Sequence, residues 1–345
     1  MKGLGFGRCA LTGCVATVML VGCGVLPLSL SKGQDDMPPP MGALGVMPQS
    51  LAKSTHENAS YLYVGTDEIP GGQRVLIFLR DDLSKGVVDS IRDGVSEPAG
   101  LFVDSAGTLY VADDDSSLDD RVTVYAKGGH KPIRVIRGGI ECAADVVAGS
   151  DGIIYVADPC GTNGQGRVHV FGPASSKQVR LLYPGGAPNS VTLDAQNRLY
   201  VGYTVWPHFE GQVKRYRPGT TEGEKLLPKK TVFAIGGIQV DKQGALLVAS
   251  TLNGTIDVFT GIRKPPSRII KTGQSYPSRF VLDRRENRIY VSSPFVGSFR
   301  ADSGSGGKRP NTVVELDYPS GKRLFTLRDP GWFPTGVAVS PSAPF

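Results

Sequence analysis

A four-residue strand motif recurs along most of this chain. It consists of Leu or Ile, then Tyr or Leu, then Val, then a small residue. The motif begins at Leu62, Leu109, Ile154, Leu199, Leu246 and Ile289. The successive spacings are 47, 45, 45, 47 and 43 residues. Because repeats of about 40–50 residues with several short strands are typical of β-propellers, the spacing predicts an all-β fold built from blades.

The two ends of the repeat region indicate how the ring closes. Five of the motifs follow another apolar strand and a turn, as "GLFVDSAG" precedes Leu109. A sixth such strand, 337–339 in "TGVAVSPSAPF", has no motif after it, whereas "YLYVG" at Tyr61 has no strand before it. We therefore predict a six-bladed β-propeller closed by pairing of the N-terminal and C-terminal strands, which removes an exposed sheet edge.

Composition agrees with this fold class. The chain has 345 residues, of which 45 are Gly, 25 are Pro and 40% are hydrophobic. Such a chain has ample core, and its Gly and Pro content suits many tight turns. We expect the propeller to occupy residues 59–345.

The N-terminus has the features of a bacterial lipoprotein signal. Lys2 and Arg8 precede an apolar segment that is too short to span a bilayer. This segment ends in "LVGC", so we expect residues 1–22 to be removed and Cys23 to carry the lipid. An ordinary cleaved signal is the alternative. Residues 23–58, with a Pro run, would be a flexible tether to the outer membrane, facing the periplasm or the surface.

The charge of the chain argues against nucleic acid as a partner. The formal charge is +6, and loss of the two basic residues within 1–22 lowers it to +4. The remaining basic residues form no run suited to phosphate contacts. We expect a monomer whose partner is an envelope protein or a small-molecule or carbohydrate ligand.

The segments "LYVADDDSSLDDRVTVYAKG" and "IYVADPCGTNGQGRVHVFGP" resemble NHL-type repeats. The resemblance covers roughly residues 59–345 and extends to the gluconolactonase-like and streptogramin-lyase-like propellers. It implies that Asp113 and Asp158 accept backbone hydrogen bonds within their own loops, close to Arg121 and Arg167. These superfamilies include lactonases, lyases, receptors and scaffolds, so the fold does not fix the function.

Cys142 and Cys160 are expected to form a disulfide. Cys142 precedes the first strand of one predicted hairpin and Cys160 follows the second, so antiparallel pairing places them at the same end. An exported protein meets an oxidising compartment. The bond would pin the loop 158–166.

The acidic loop "DDDSSLDD" at 113–120 allows two interpretations. Carboxylates at Asp113, Asp115 and Asp119 could bind Ca²⁺, which takes six to eight oxygen ligands. The spacing is not that of an EF-hand, and a solvated acidic loop is the alternative. Apart from this Ca²⁺, we expect no cofactor.

Aligned inner strands point to a second candidate site. One column reads Gly100, Asp145, Ser190, Gly237, Arg279 and Gly336. Small residues suit the crowded channel, whereas Asp145 and Arg279 fall in opposite blades of a six-bladed ring. Because a buried charge is costly unless it is paired, they form either a structural pair or a polar clamp for a ligand.

Aromatic residues concentrate in loops of one predicted face. This upper face carries the blade-to-blade connections and the loops between second and third strands. Its candidate binding residues are Tyr203, Trp206, His208, Phe295 and Trp332. Loop aromatics are enriched at binding surfaces, although they can also fold inwards as plugs.

The sequence thus favours a membrane-tethered binding module that acts through its upper face. The alternative is a metal-dependent hydrolase of the gluconolactonase type, which the resemblance allows. That family holds its metal with Glu, Asn and Asp at the channel mouth, and no Glu stands in the inner-strand column. His208 is the one candidate base on the upper face, with Glu210 as the only evident carboxylate to orient it.

Overall fold

The protein forms a ring of short antiparallel strands. The structure, a computed structural model, describes residues 60–67, 73–115, 120–283, 285–294, 312–328 and 333–340. Within these residues no helix is long and apolar enough to cross a membrane. The first strands in chain order are β1 (Tyr61–Thr66), β2 (Arg74–Leu79), β3 (Val87–Ile91), β4 (Pro98–Val103), β5 (Leu109–Asp113), β6 (Arg121–Tyr125), β7 (Pro132–Ile136), β8 (Asp145–Ala148), β9 (Ile154–Asp158), β10 (Arg167–Phe171), β11 (Gln178–Leu182), β12 (Ala187–Leu193) and β13 (Leu199–Val205). The others are β14 (Glu210–Tyr216), β15 (Gly223–Lys225), β16 (Val232–Phe233), β17 (Ile235–Val240), β18 (Leu246–Ser250), β19 (Thr255–Phe259), β20 (Arg268–Lys271), β21 (Arg279–Leu282), β22 (Arg288–Ser293), β23 (Thr312–Asp317), β24 (Arg323–Arg328) and β25 (Pro334–Ser340).

The described strands form six sheets, each one blade. Blades 1 to 5 are β4–β7, β8–β11, β12–β15, β17–β20 and β21–β24, and blade 6 has the order β25-β1-β2-β3. The short strand β16 pairs with β14 of blade 3. Three 3-10 turns complete the described regular structure: Leu83–Lys85, Thr162–Gly164 and Thr251–Asn253. The predicted six-bladed β-propeller is confirmed.

Blade 6 contains both ends of the described chain. β25 pairs antiparallel with β1, with Leu62 opposite Val339 and Val64 opposite Val337. All four side chains are buried, within one cluster that also contains Leu76 and Tyr290. The predicted closure is confirmed, and it leaves no unpaired strand between the last blade and the first.

Hydrophobic contacts between neighbouring blades form the core. One cluster joins Leu247 and Val258 of blade 4 to Phe280 and Val291 of blade 5. Leu247 is fully buried, and such burial stabilises the fold by about 1.5–3 kcal/mol per large side chain. The alternation of the repeat motif therefore places apolar residues on both faces of each blade.

β-bulges recur where the inner strands approach the upper face. The register shifts between Pro98 and Gly100 in blade 1, and between Pro188 and Ser190 in blade 3. A Cβ on Gly100 would lie 2.6 Å from the Cα of Asp145. Bulges redirect side chains, and here the crowding requires a residue without a Cβ.

Candidate functional site

The side chain of Arg279 crosses the central channel from blade 5. Its Nη2 donates hydrogen bonds to the backbone oxygens of Ala144 at 3.0 Å and Asn189 at 2.8 Å. Ala144 immediately precedes the inner strand of blade 2, and Asn189 lies in the inner strand of blade 3. Arg279 therefore ties three blades together across the ring.

Asp145 lies beside this guanidinium, and both of its carboxylate oxygens accept hydrogen bonds from other residues. Oδ1 accepts from the backbone N–H of Val146 at 3.0 Å. Oδ2 accepts from Ser190 Oγ at 2.7 Å and from the N–H of Val191 at 3.0 Å. Burial raises the pKa of Asp145, while the charge of Arg279 and these hydrogen bonds lower it. In the sequence, Asp145 and Arg279 allow a structural pair or a clamp. In the structure, the hydrogen bonds of both side chains join them to other groups of the protein.

Arg279 also divides the channel into two spaces. The upper cavity has a volume of about 80 Å³ and is lined by Asn189 of an inner strand and by residues of the blade connections, among them Glu97 and Tyr276. The lower cavity has a volume of about 430 Å³ and is lined by inner strands and by turns of the opposite face. Arg279 lines both cavities. Its guanidinium therefore lies at the boundary between them.

The aromatic loop of blade 3 is shorter than the sequence suggests. Strands β13 and β14 pair as far as Val205 opposite Glu210, so only residues 206–209 form the turn. Tyr203 consequently lies within β13 and is only 1% exposed, rather than on a surface loop. The regular pairing of this hairpin extends beyond the repeat motif, which sequence spacing alone does not reveal.

Trp206 and His208 do lie in the turn. The rings of Trp206 and Phe209 meet edge to face, with centroids 4.4 Å apart. Trp206 is half-buried, and a Cβ on Gly164 would lie only 3.2 Å from its Cδ1. Trp206 therefore packs against the neighbouring loop of blade 2, while His208 remains exposed. Phe295, Trp332 and the lipidation candidate Cys23 lie outside the described residues.

Asp113 and Asp115 of the acidic loop share one arginine. Asp113 is fully buried, and its carboxylate accepts from the backbone N–H groups of Ser96 and Glu97 at 2.7–3.0 Å. Arg121 lies 2.8 Å from Asp113 Oδ2 and 3.1 Å from Asp115 Oδ2. Burial raises the pKa of Asp113 to about 6, against the lowering effect of Arg121. These contacts are those of a loop anchor; Asp119, the third calcium candidate, lies outside the described residues.

Asp114 and Asp120 form a buried carboxyl pair that the sequence did not single out. They are 3% and 6% exposed. Burial, together with a hydrogen bond to Asp120, raises the pKa of Asp114 to about 8. Asp114 Oδ2 is buried and has no hydrogen-bond partner among the described residues. The run of Asp residues in the sequence indicated an acidic loop, but it could not show which carboxylates lie next to each other.

The disulfide between Cys142 and Cys160 is present, with Cα atoms 5.6 Å apart. Asp158 anchors the same loop: it accepts from the N–H groups of Glu141 at 3.0 Å and Cys160 at 3.1 Å. The buried His169 places Nε2 2.9 Å from Asp158 Oδ2. The contacts of Asp158 are those the NHL resemblance implied, with His169 as an addition.

Among the described residues, side chains close enough together to bind a metal ion occur only at this loop. One group of His, Cys, Asp or Glu side chains lies close enough together to hold an ion, namely Cys142, Asp158 and Cys160. Its two sulfur atoms are bonded to each other. The group is therefore not available as a metal site while the disulfide is intact.

Comparisons with known proteins identify the class of fold. No protein-family profile and no curated protein match the sequence. A chain in a crystal structure of a nidogen/laminin complex is 14% identical with a TM-score of 0.62, over 82% of this chain and 99% of that one. A Bacteroides caccae protein of unknown function is 14% identical with a TM-score of 0.59, over 81% and 98%. A protein from Lactobacillus plantarum is 14% identical with a TM-score of 0.52, over 81% and 99%.

These similarities extend over almost the whole of each matched chain. At 14% identity they establish the fold and nothing about the site. The chain is a six-bladed β-propeller, as the spacing of its strand motif predicted.

Proposed function

We propose that this chain is a lipid-anchored envelope protein that binds another protein through the upper face of its propeller. The size of the upper cavity carries the proposal. Its 80 Å³ would hold two or three waters at about 30 Å³ each, whereas drug-sized ligands occupy pockets of about 300–1,000 Å³. A partner at this face would therefore bind the loops around the cavity rather than enter it.

The loops of blades 2 and 3 suit such a partner. The disulfide and Asp158 fix the blade 2 loop, and Trp206 packs on that loop. Exposed His208 and half-buried Phe209 adjoin the Trp206 ring. Aromatic side chains on a rigid framework lose little conformational entropy on binding, which favours protein recognition. The nidogen/laminin structure offers a parallel, because a propeller-shaped chain there belongs to a protein complex.

A pair of exposed histidines allows a matched test. His208 lies on the upper face, and His130 lies in the loop between β6 and β7 on the opposite face with its side chain 49% exposed. A photo-crosslinking amino acid at position 208 should yield a discrete adduct in intact cells, while position 130 should not. Equal adducts at both positions, or none at 208, would contradict the proposal.

The lipid anchor has a separate test. Metabolic labelling with a fatty acid should mark the wild-type chain and should fail on Cys23→Ala. Labelling that persists in the variant would exclude Cys23 as the acceptor.

The hydrolase alternative gains no support from the described contacts. Asp113, Asp145 and Asp158 are already engaged by arginines, backbone N–H groups or hydroxyls, so a metal would have to displace those donors. Metal analysis of the purified chain decides the matter. Stoichiometric metal whose removal lowers the melting temperature would favour the hydrolase.

A further inference from the structure

The lower cavity differs from the upper one in size, lining and closure. Its 430 Å³ falls within the range of ligand pockets. Inner strands of all six blades contribute to its wall, which includes Phe102, Val147, Val240, Val281 and Val339. Because Arg279 spans the ring above it, the cavity ends inside the molecule.

The charged groups of the lower cavity nearly cancel. Its lining contains three cationic side chains, Arg198, Lys242 and Arg279, and four anionic ones, Asp145, Asp194, Asp241 and Glu286, which gives a formal sum of 3 − 4 = −1. An ionic ligand would lose its hydration without meeting a strong opposite charge. The lining therefore favours an uncharged molecule.

The carboxylates of the lining have partners of their own. Asp194 accepts from Arg198 Nε at 2.6 Å, and Asp241 accepts from Tyr318 Oη at 2.8 Å. Glu286 Oε1 accepts from the backbone N–H of Lys242 at 2.8 Å. These contacts occupy acceptors at the lower end of the cavity.

The closed end of the cavity is occupied as well. Arg279 lines it, and its Nη2 already donates to the backbone oxygens of Ala144 and Asn189. Asp145 opposes the charge of this guanidinium. A ligand at this end therefore gains little from a negative charge of its own.

We propose that the lower cavity binds a small uncharged molecule with an apolar body. The apolar body would lie against the aliphatic wall. The site is distinct from the upper-face partner surface, so either proposal can fail without the other.

Three probes of equal chain length test the ligand class: 2-octanone, octanoate and octylamine. Each is titrated into the full chain carrying Cys23→Ala, with binding followed by ligand-observed NMR. We expect saturable binding of 2-octanone and at least tenfold weaker binding of the two charged probes. Absence of ketone binding, or equal affinity for a charged probe, would overturn the proposal.

Substitutions in the two cavities test whether 2-octanone binds in the lower one. Val240→Phe narrows the lower cavity and should abolish ketone binding, whereas Tyr276→Phe alters only the upper cavity and should leave it unchanged. Ketone binding that Val240→Phe leaves unaffected would refute the assignment.

Discussion

Removing the carboxylate of Asp113 should destabilise the propeller more than any surface substitution. Asp113→Ala removes the acceptor of the N–H groups of Ser96 and Glu97, and it takes one of two carboxylates away from the guanidinium of Arg121. The Asp113 and Arg121 side chains are 0% and 9% exposed, so solvent cannot replace the lost contacts. Breaking a buried pair in this way costs about 3–5 kcal/mol.

A double-mutant cycle separates this interaction from the loss of packing. Urea denaturation is measured for the wild type, Asp113→Ala, Arg121→Met and the double variant, with exposed Asp81→Ala as the control. Because Asp115 also contacts Arg121, the coupling energy should be positive but smaller than the full cost of Asp113→Ala. A cost no larger than that of the control, or zero coupling, would refute the assignment of Asp113 as a loop anchor.

Three further substitutions test other parts of the structure. Cys142→Ser opens a loop with a sequence separation of 18 and should cost about 3 kcal/mol, seen as a lower urea midpoint that reductant reproduces in the wild type. The raised pKa of Asp114 means that the folded chain holds a proton which the unfolded chain releases, so its contribution to stability is lost as pH rises from about 4 through 8. Asp114→Asn should flatten that decline between pH 5 and pH 9, and an unchanged slope would exclude the Asp114–Asp120 pair as its source. Gly100→Ala should lower the melting temperature by several degrees, because its Cβ would meet Asp145 at 2.6 Å; an unchanged temperature would show that the inner strand can shift.

The spacing of the repeat predicted the fold because every blade packs in the same way against its neighbours. The repeat places Val111, Val156 and Val201 at equivalent fully buried positions, so one pattern specifies three neighbouring sheets. The closure was predictable from an unpaired strand at each end. The disulfide was predictable because antiparallel pairing leaves little freedom at a hairpin end.

The candidate site was less predictable, because its contacts cross between blades. The inner-strand column located Asp145 and Arg279, but the reach of a long side chain to Ala144 and Asn189 follows from three-dimensional placement. Tyr203 was misplaced because the β13–β14 hairpin continues beyond the repeat. Within the Asp run, strand alternation separates Asp113 from Asp114, yet only the fold brings Asp120 to Asp114.

Departures from the repeat carry the most information about function in such a ring. Glycine at 100, 237 and 336 follows from crowding, since a Cβ at each would approach a neighbouring blade to within 2.6–3.2 Å. Arg279 in the same column is not required by packing, and its Nε has no hydrogen-bond partner in the part of the chain that the structure describes. An unsatisfied donor of this kind costs about 1–3 kcal/mol, which the two hydrogen bonds from the guanidinium to backbone oxygens can offset. The propeller could close with glycine or serine at this position, so the arginine is best explained by what it does to the channel: it separates a small upper cavity from a larger lower one.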